Sequence, residues 1–179
     1  MKVLALDIAT RFGYALWDDS IVGGLASSGF GQLPNDGPPG KRFAAFHAAL
    51  RKLAPEVQRI AYEDAWHQQG KAGAVFGGLL AMVQVHAYQV GATLHACPVS
   101  TVKKHATGSG KADKAAMMQA ATARWGVECE TDDHGDALCV LAYSLEIHGL
   151  LKGAPRAAEG PHKKRKVGGR RVSAVRSEI

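Results

Sequence analysis

Apolar and polar positions alternate over residues 2–8, KVLALDI, and again over 12–18, FGYALWD, after a three-residue break. A period of two predicts strands, and the short break predicts a hairpin. The following IVGGLASSGFGQL predicts a third antiparallel strand, weakened by its glycines, and PNDGPPG at 34–40 is a loop. Over 41–54 the period changes: Phe43, Phe46, Leu50 and Leu53 fall near helical spacing, and Pro55 marks the end. A strand at 58–63, QRIAYE, leads through a polar stretch to a long apolar helix from about Ala72 to Val90, stopped by Gly91. TLHACPV is a short strand, after which Ser100 can cap the helix TVKKHA. GSGKAD breaks the chain again, and Asp113 or its neighbourhood opens the helix KAAMMQAATARW. The last helix runs from about Asp133 to Leu150, with Ala137, Leu138, Val140, Leu141 and Leu145 on its apolar side. Three strands, helix, strand, helix, strand and further helices make an α/β domain with a mixed sheet.

Beyond Leu151 the pattern stops. Large apolar groups give way to Gly, Pro, Lys and Arg, which predicts a folded domain over 1–152 and a basic, disordered tail over 153–179. This division changes the meaning of the net charge of +6. From Lys152 onward there are nine Lys or Arg against two acids, so the preceding domain is left at about −1. A nucleic-acid argument for the domain must therefore come from placed residues, not from bulk charge. With 46% hydrophobic and 21% charged residues, the 179-residue chain has the composition of an ordinary soluble domain. The opening MKVLALDIATRFGY is broken by Asp7 and does not read as a signal peptide, and no uninterrupted apolar stretch reaches the roughly 18 residues of a membrane span. Cys97, Cys129 and Cys139 form no CxxC pair, so free thiols in a reducing cytoplasm are expected.

The chemistry resides in carboxylates. Asp7 ends an otherwise aliphatic strand, where an uncompensated buried charge is expensive. Alone it reads as the cap of the turn ATRFG. Glu63 ends the strand RIAYE in the same way and lies at the same end of the sheet if the two strands are parallel neighbours, and such strand ends are where ligands bind. Asp133 and Asp136 stand at i and i+3 on the opening turn of a helix and share a face, although acids there also suit the helix dipole. Four carboxylates from three distant segments share one explanation in a site for Mg²⁺, a hard ion that prefers oxygen, which nucleases use in pairs roughly 3.5–4 Å apart. Without metal such a cluster repels itself.

The segments LALDIATRFGYAL, IAYED, VSTVKKHATGSGKADK and DHGDALCVLAYS resemble, in order and spacing, the four motif regions of the RuvC family of Holliday-junction resolvases, of bacterial or phage type. The resemblance covers roughly residues 1–150. It implies an RNase H-like fold, a mixed five-stranded sheet flanked by helices, and a homodimeric Mg²⁺-dependent endonuclease that nicks opposing strands of a four-way DNA junction and leaves 5′-phosphates. It further implies that Asp7, Glu63, Asp133 and Asp136 hold two Mg²⁺ ions, for which Mn²⁺ is a candidate substitute, and that Lys103 and Lys114 lie near the scissile phosphate, Lys114 among the catalytic residues. Lysines neutralise phosphate without selecting sequence. Lys104 and Lys111 read as part of the same DNA-binding surface or as a solvated helix face. Trp66, three residues after Glu63 in the polar EDAWHQQGK, reads as a cover over the top of the core or, as the resemblance implies, as an aromatic that stacks on an unpaired base, a contact worth about 1–3 kcal/mol. His134 departs from the small residue often found at its position and reads as a helix-start polar residue or a water activator.

The apolar helix near 72–90 is hydrophobic on more than one face and carries Gly73, Gly77 and Gly78, so it is either a central core helix or a dimer helix, and the resemblance implies the dimer. In the tail, Lys163, Lys164, Arg165 and Lys166 form a KKRK run that reads as an electrostatic DNA arm or as a nuclear localisation signal. GSGK at 108–111 is not a Walker A loop, since His105 replaces the required glycine. The expectation is a cytoplasmic, structure-selective endodeoxyribonuclease acting on four-way or other branched DNA. The competing readings are a noncatalytic branched-DNA-binding module of the same fold, and an ATP-binding domain of the actin and sugar-kinase type, which needs two such domains and far more chain.

Overall fold

A computed structural model describes residues 1–65 and 70–151. Trp66, Lys163, Lys164, Arg165 and Lys166 therefore lie outside the described residues, as does the tail expected over 153–179. Five strands, β1 (Lys2–Asp7), β2 (Arg11–Asp18), β3 (Leu25–Gln32), β4 (Arg59–Asp64) and β5 (Thr93–Pro98), form one sheet in the order β3-β2-β1-β4-β5. The β1–β2 and β2–β3 pairs are antiparallel, and β1–β4 and β4–β5 are parallel. This is the mixed sheet that the alternation predicts, with hairpins on one side of β1 and helical crossovers on the other.

The strand period sorts β1 into two cores. Val3 and Ala5 join Ala15, Ala61 and Cys97 under α5 (Asp132–Ile147), where Leu138, Leu141 and Leu145 fill the space. Leu4 and Leu6 join Ile60 on the opposite face, against Phe46 and Leu50 of α1 (Pro39–Leu53) and Phe76, Leu79 and Val83 of α2 (Gly70–Val90). Both faces of the sheet are thus covered, as parallel pairing requires. By length and composition α2 could cross a membrane, but its Phe76, Leu79, Leu80, Val83, His86 and Ala87 are buried within the fold. The three cysteines are free and buried.

Three boundaries differ from the pattern. The third strand begins only at Leu25, because Ile21–Gly24 form the turn, with Gly23 and Gly24 at positive φ. The helix α3 (Val99–Thr107) starts directly after Pro98, whose extended conformation at φ −61° leads from β5 without a loop, so Ser100 sits inside the first turn and caps nothing. Helix α5 begins at Asp132, because Thr131 is the cap that accepts from the His134 amide. Asp113 opens α4 (Lys114–Trp125) by accepting from the Ala116 amide at 2.9 Å.

Candidate active site

Register brings the first two carboxylates together. Leu4 stands opposite Ile60 and Leu6 opposite Tyr62, so Asp7 and Glu63 follow side by side at the ends of parallel neighbours. Each is two residues beyond a core alanine, Ala5 or Ala61, on the face that α5 covers. Helix α5 then adds Asp133 and Asp136 from its first turns, one turn before the buried Val140. The approach of its N-terminus depends on Gly13, the β2 residue opposite Asp7. A Cβ on Gly13 would lie 1.8 Å from the Asp133 carbonyl oxygen, so only glycine lets helix and sheet meet at this depth.

The four carboxylates act on one another electrostatically. Burial first, then the charges of Glu63, Asp136, Asp133 and Asp132, hold the Asp7 carboxyl well above its ordinary value. Glu63 is pushed up to about 7 by burial and by Asp136, against the pull of Lys103. Asp136 rises to about 6, chiefly through burial, with Lys103 opposing and Asp132 and Asp133 adding to the rise. One oxygen of Glu63, Oε1, and one of Asp136, Oδ1, are buried without a hydrogen-bond partner. Hard oxygen donors left without protons to accept are the environment that a divalent cation satisfies. The donor set therefore fits Mg²⁺ or Mn²⁺, with Asp7, Glu63, Asp136 and Asp133 as the residues that would hold it.

Yet among the described residues no three His, Cys, Asp or Glu groups are already arranged to hold a metal ion. Two cations pair with the acids at the start of α5. Arg11, at the start of β2, donates through Nε to Asp133 Oδ2 and through Nη2 to Asp132 Oδ1. Lys114, at the start of α4, donates to Asp132 Oδ2. That bond holds the Asp132 carboxyl below its ordinary value. Arg11 and Asp132 were not singled out from the sequence, although ATR at the strand break and the doubled acid of TDDHGD are visible there.

Of the predicted cations, Lys103 is half-buried, donates to the Ala112 carbonyl at 3.0 Å and pulls on both Glu63 and Asp136. Lys114 reaches the site through Asp132, and its charge also feels Asp133 and Asp136. Lys104 and Lys111 are exposed, in keeping with either of their two readings. His134 is a correction to the water-activating option. Its ring is buried at 2% exposure and its Nε2 shares a hydrogen bond of 2.9 Å with Ser28 Oγ on β3. Burial pushes its pKa down, and the Ser28 contact ties α5 to the sheet.

No protein-family model and no curated relative matches the sequence. Solved structures do. A structure of Thermus thermophilus RuvC superposes with a TM-score of 0.66 at 22% identity, covering 84% of this chain and 98% of that one. T. thermophilus RuvC in complex with Holliday junction substrate gives 0.69 at 20% identity, covering 84% of this chain and 97% of that one. The fold is RuvC-like, the mixed five-stranded sheet flanked by helices that the motif resemblance implies.

Proposed function

We propose that the chain is a metal-dependent endodeoxyribonuclease that resolves Holliday junctions and related branched DNA, leaving 5′-phosphates. The observation that carries this reading is the meeting of Asp7, Glu63, Asp133 and Asp136 at one end of a RuvC-like sheet, with unpartnered buried oxygens on Glu63 and Asp136. When bound, a pair of divalent ions would activate the attacking water and stabilise the leaving 3′ oxygen. Asp7, Glu63 and Asp136 would supply oxygens from two strand ends and one helix, elements that the fold holds at one end of the sheet. Lys103, held by the Ala112 carbonyl, keeps a positive charge beside Glu63 and Asp136 where a phosphate must enter. Lys114 adds a second charge from the N-terminus of α4.

A four-way junction has two equivalent strands to cut, and a two-fold pair of sites matches it. Helix α2 supports a homodimer: Ala74, Ala81, Val85 and Tyr88 run along its outer face at helical spacing, with Val85 41% and Tyr88 89% exposed. Tyr88→Lys is expected to convert a dimer to a monomer, read by light scattering. The cytoplasm of a bacterial or phage-infected cell as its compartment, and the KKRK run as a DNA arm, belong to the same proposal.

With Mg²⁺, the purified protein should nick four-way junctions symmetrically and leave linear duplex intact, while Asp7→Asn binds the junction and does not cut. Equal cutting of linear and branched DNA would keep the nuclease and remove the resolvase. The noncatalytic module is the second reading, favoured by the ion pairs that occupy Asp132 and Asp133. Failure of Mg²⁺ and Mn²⁺ to support cleavage of any branched substrate would establish it.

A further inference from the structure

The basic groups on the rim of the carboxylate cluster are not equivalent. Lys103 is anchored on a backbone carbonyl. Arg11, in contrast, spends its guanidinium on Asp133, one of the four residues that would hold metal, and on Asp132, which is not among them. Its side chain is still 43% exposed, so it is placed where solvent or a ligand can reach it. Asp132 has two partners, Arg11 through Oδ1 and Lys114 through Oδ2, and is thus tied to both β2 and α4.

Asp133, if it held a divalent cation, would have less to offer Arg11 Nε, and like charge would repel the guanidinium. Asp132 keeps hold of Nη2, so the displaced group stays at the rim with donors free. A guanidinium with free N–H groups beside a phosphate path is suited to bidentate phosphate recognition. We infer that Arg11 is an exchangeable counter-ion of this site: it holds Asp133 while no divalent cation is there, and, kept in place by Asp132, it turns to a DNA phosphate when the cation takes Asp133. The role of Asp132 is then positioning, since it acts through Arg11 and Lys114. This inference rests on the proposed metal site and adds a defined order of events, in which metal loading releases a phosphate-binding group.

The test uses the full chain and reads metal affinity without DNA. By calorimetry with Mn²⁺, R11Q is expected to bind about three- to tenfold tighter than wild type, the scale of losing one partly exposed competing charge. R11K, which keeps a competing cation, should stay within about twofold of wild type. With Ca²⁺ present, R11Q should lower junction affinity and reduce the slope of log affinity against log salt by about one, and without divalent ion the slope should change less. Mn²⁺ affinity in R11Q equal to or weaker than wild type overturns the inference. In case R11Q folds poorly, the wild-type Arg11 Nε–H signal in NMR gives the same answer: its protection from exchange should fall as Mg²⁺ is titrated, and protection retained at saturating Mg²⁺ overturns the exchange. Wild-type protein that binds no Mn²⁺ at all overturns the metal site and this inference together. Wild-type protein that binds Mn²⁺ and cuts junctions, with R11Q unchanged, overturns this inference alone.

Discussion

The carboxylate cluster has two halves that the fold treats differently. Asp7, Glu63 and Asp136 sit deep, where burial and mutual repulsion raise all three pKa values and oxygens of Glu63 and Asp136 go unpartnered. Asp132 and Asp133 sit at the rim, where Arg11 and Lys114 neutralise them. The deep half is frustrated and the rim half is satisfied, although the two meet at the N-terminus of α5. Like-charged carboxylates buried together with oxygens left unpartnered mark a place suited to a ligand. The largest effects should follow this division. On the proposed function, in which divalent ions carry the chemistry, Asp7→Asn, Glu63→Gln and Asp136→Asn are each expected to reduce cleavage by roughly a thousandfold or more. In the metal-free protein at pH 8, Glu63→Gln and Asp136→Asn should raise stability, by about 1–2 kcal/mol, since each removes a buried repulsive charge. Asp133→Asn should also impair cleavage but lower stability, because it breaks the pair with Arg11. Thermal unfolding in EDTA reads the opposite signs, and a common sign for Asp136→Asn and Asp133→Asn would erase the distinction.

Proton linkage sharpens the same contrast without mutation. In the unfolded chain Glu63 and Asp136 ionise near their ordinary values of 4.5 and 3.8, whereas in the fold they ionise near 7 and 6. Between those limits the folded state binds more protons than the unfolded state, so stability declines as pH rises. The penalty is absent below the unfolded values, accumulates between about 4 and 7 and is complete above the folded values. Metal-free protein should therefore melt at a higher temperature at pH 5.5 than at pH 8. Saturating Mg²⁺ should stabilise more at pH 8 than at pH 5.5, because the ligands must lose their protons to bind it. A metal-induced shift that is the same at both pH values would show that the deep carboxylates are already ionised in the free protein.

Gly13 is where the two halves are joined, since it lies opposite Asp7 and beneath the Asp133 carbonyl. Gly13→Ala should force the α5 terminus away from the sheet, destabilise the protein by about 1–3 kcal/mol and reduce metal affinity. Gly40 in α1 offers the control: nothing stands within 4 Å of a Cβ placed there, so Gly40→Ala should be neutral or mildly stabilising. Equal melting temperatures for the two variants would mean that α5 can shift without consequence.

The fold was legible because its periods are unambiguous. Alternation in KVLALDI and FGYALWD sorts side chains between two cores, and strand-ending Asp7 and Glu63 are visible as acids after aliphatic runs. What the pattern could not disclose were contacts between distant segments. Arg11 and Asp132 are 121 positions apart, and nothing in either local sequence says that they pair. Gly13 drew no notice within the regular alternation of FGYALWD, because only the helix that presses on it makes glycine necessary there. The Ser100 cap failed for a local reason, since Pro98 already directs the chain into α3. His134 was ambiguous for a physical reason: a polar residue on a helix start can face a site or the core, and only the Ser28 contact decides.

The smallest effects should separate the cations by depth. Lys103 acts on Glu63 and Asp136, whereas Lys104, one residue on, is exposed at the helix surface. Lys103→Ala should cut the cleavage rate about ten- to a hundredfold and raise the pH needed for metal binding, because the charge that helps those carboxylates to ionise is gone. Lys104→Ala and Lys111→Ala should leave the rate at saturating DNA unchanged and weaken junction affinity only about two- to fivefold, with a small decrease in the salt slope. Rate at saturation and affinity against salt, measured for all three, distinguish a cation that serves the deep carboxylates from cations that only greet the backbone. A rate loss for Lys104→Ala as large as that for Lys103→Ala would mean that the phosphate path runs over the outer face of α3, and that depth does not order the cations.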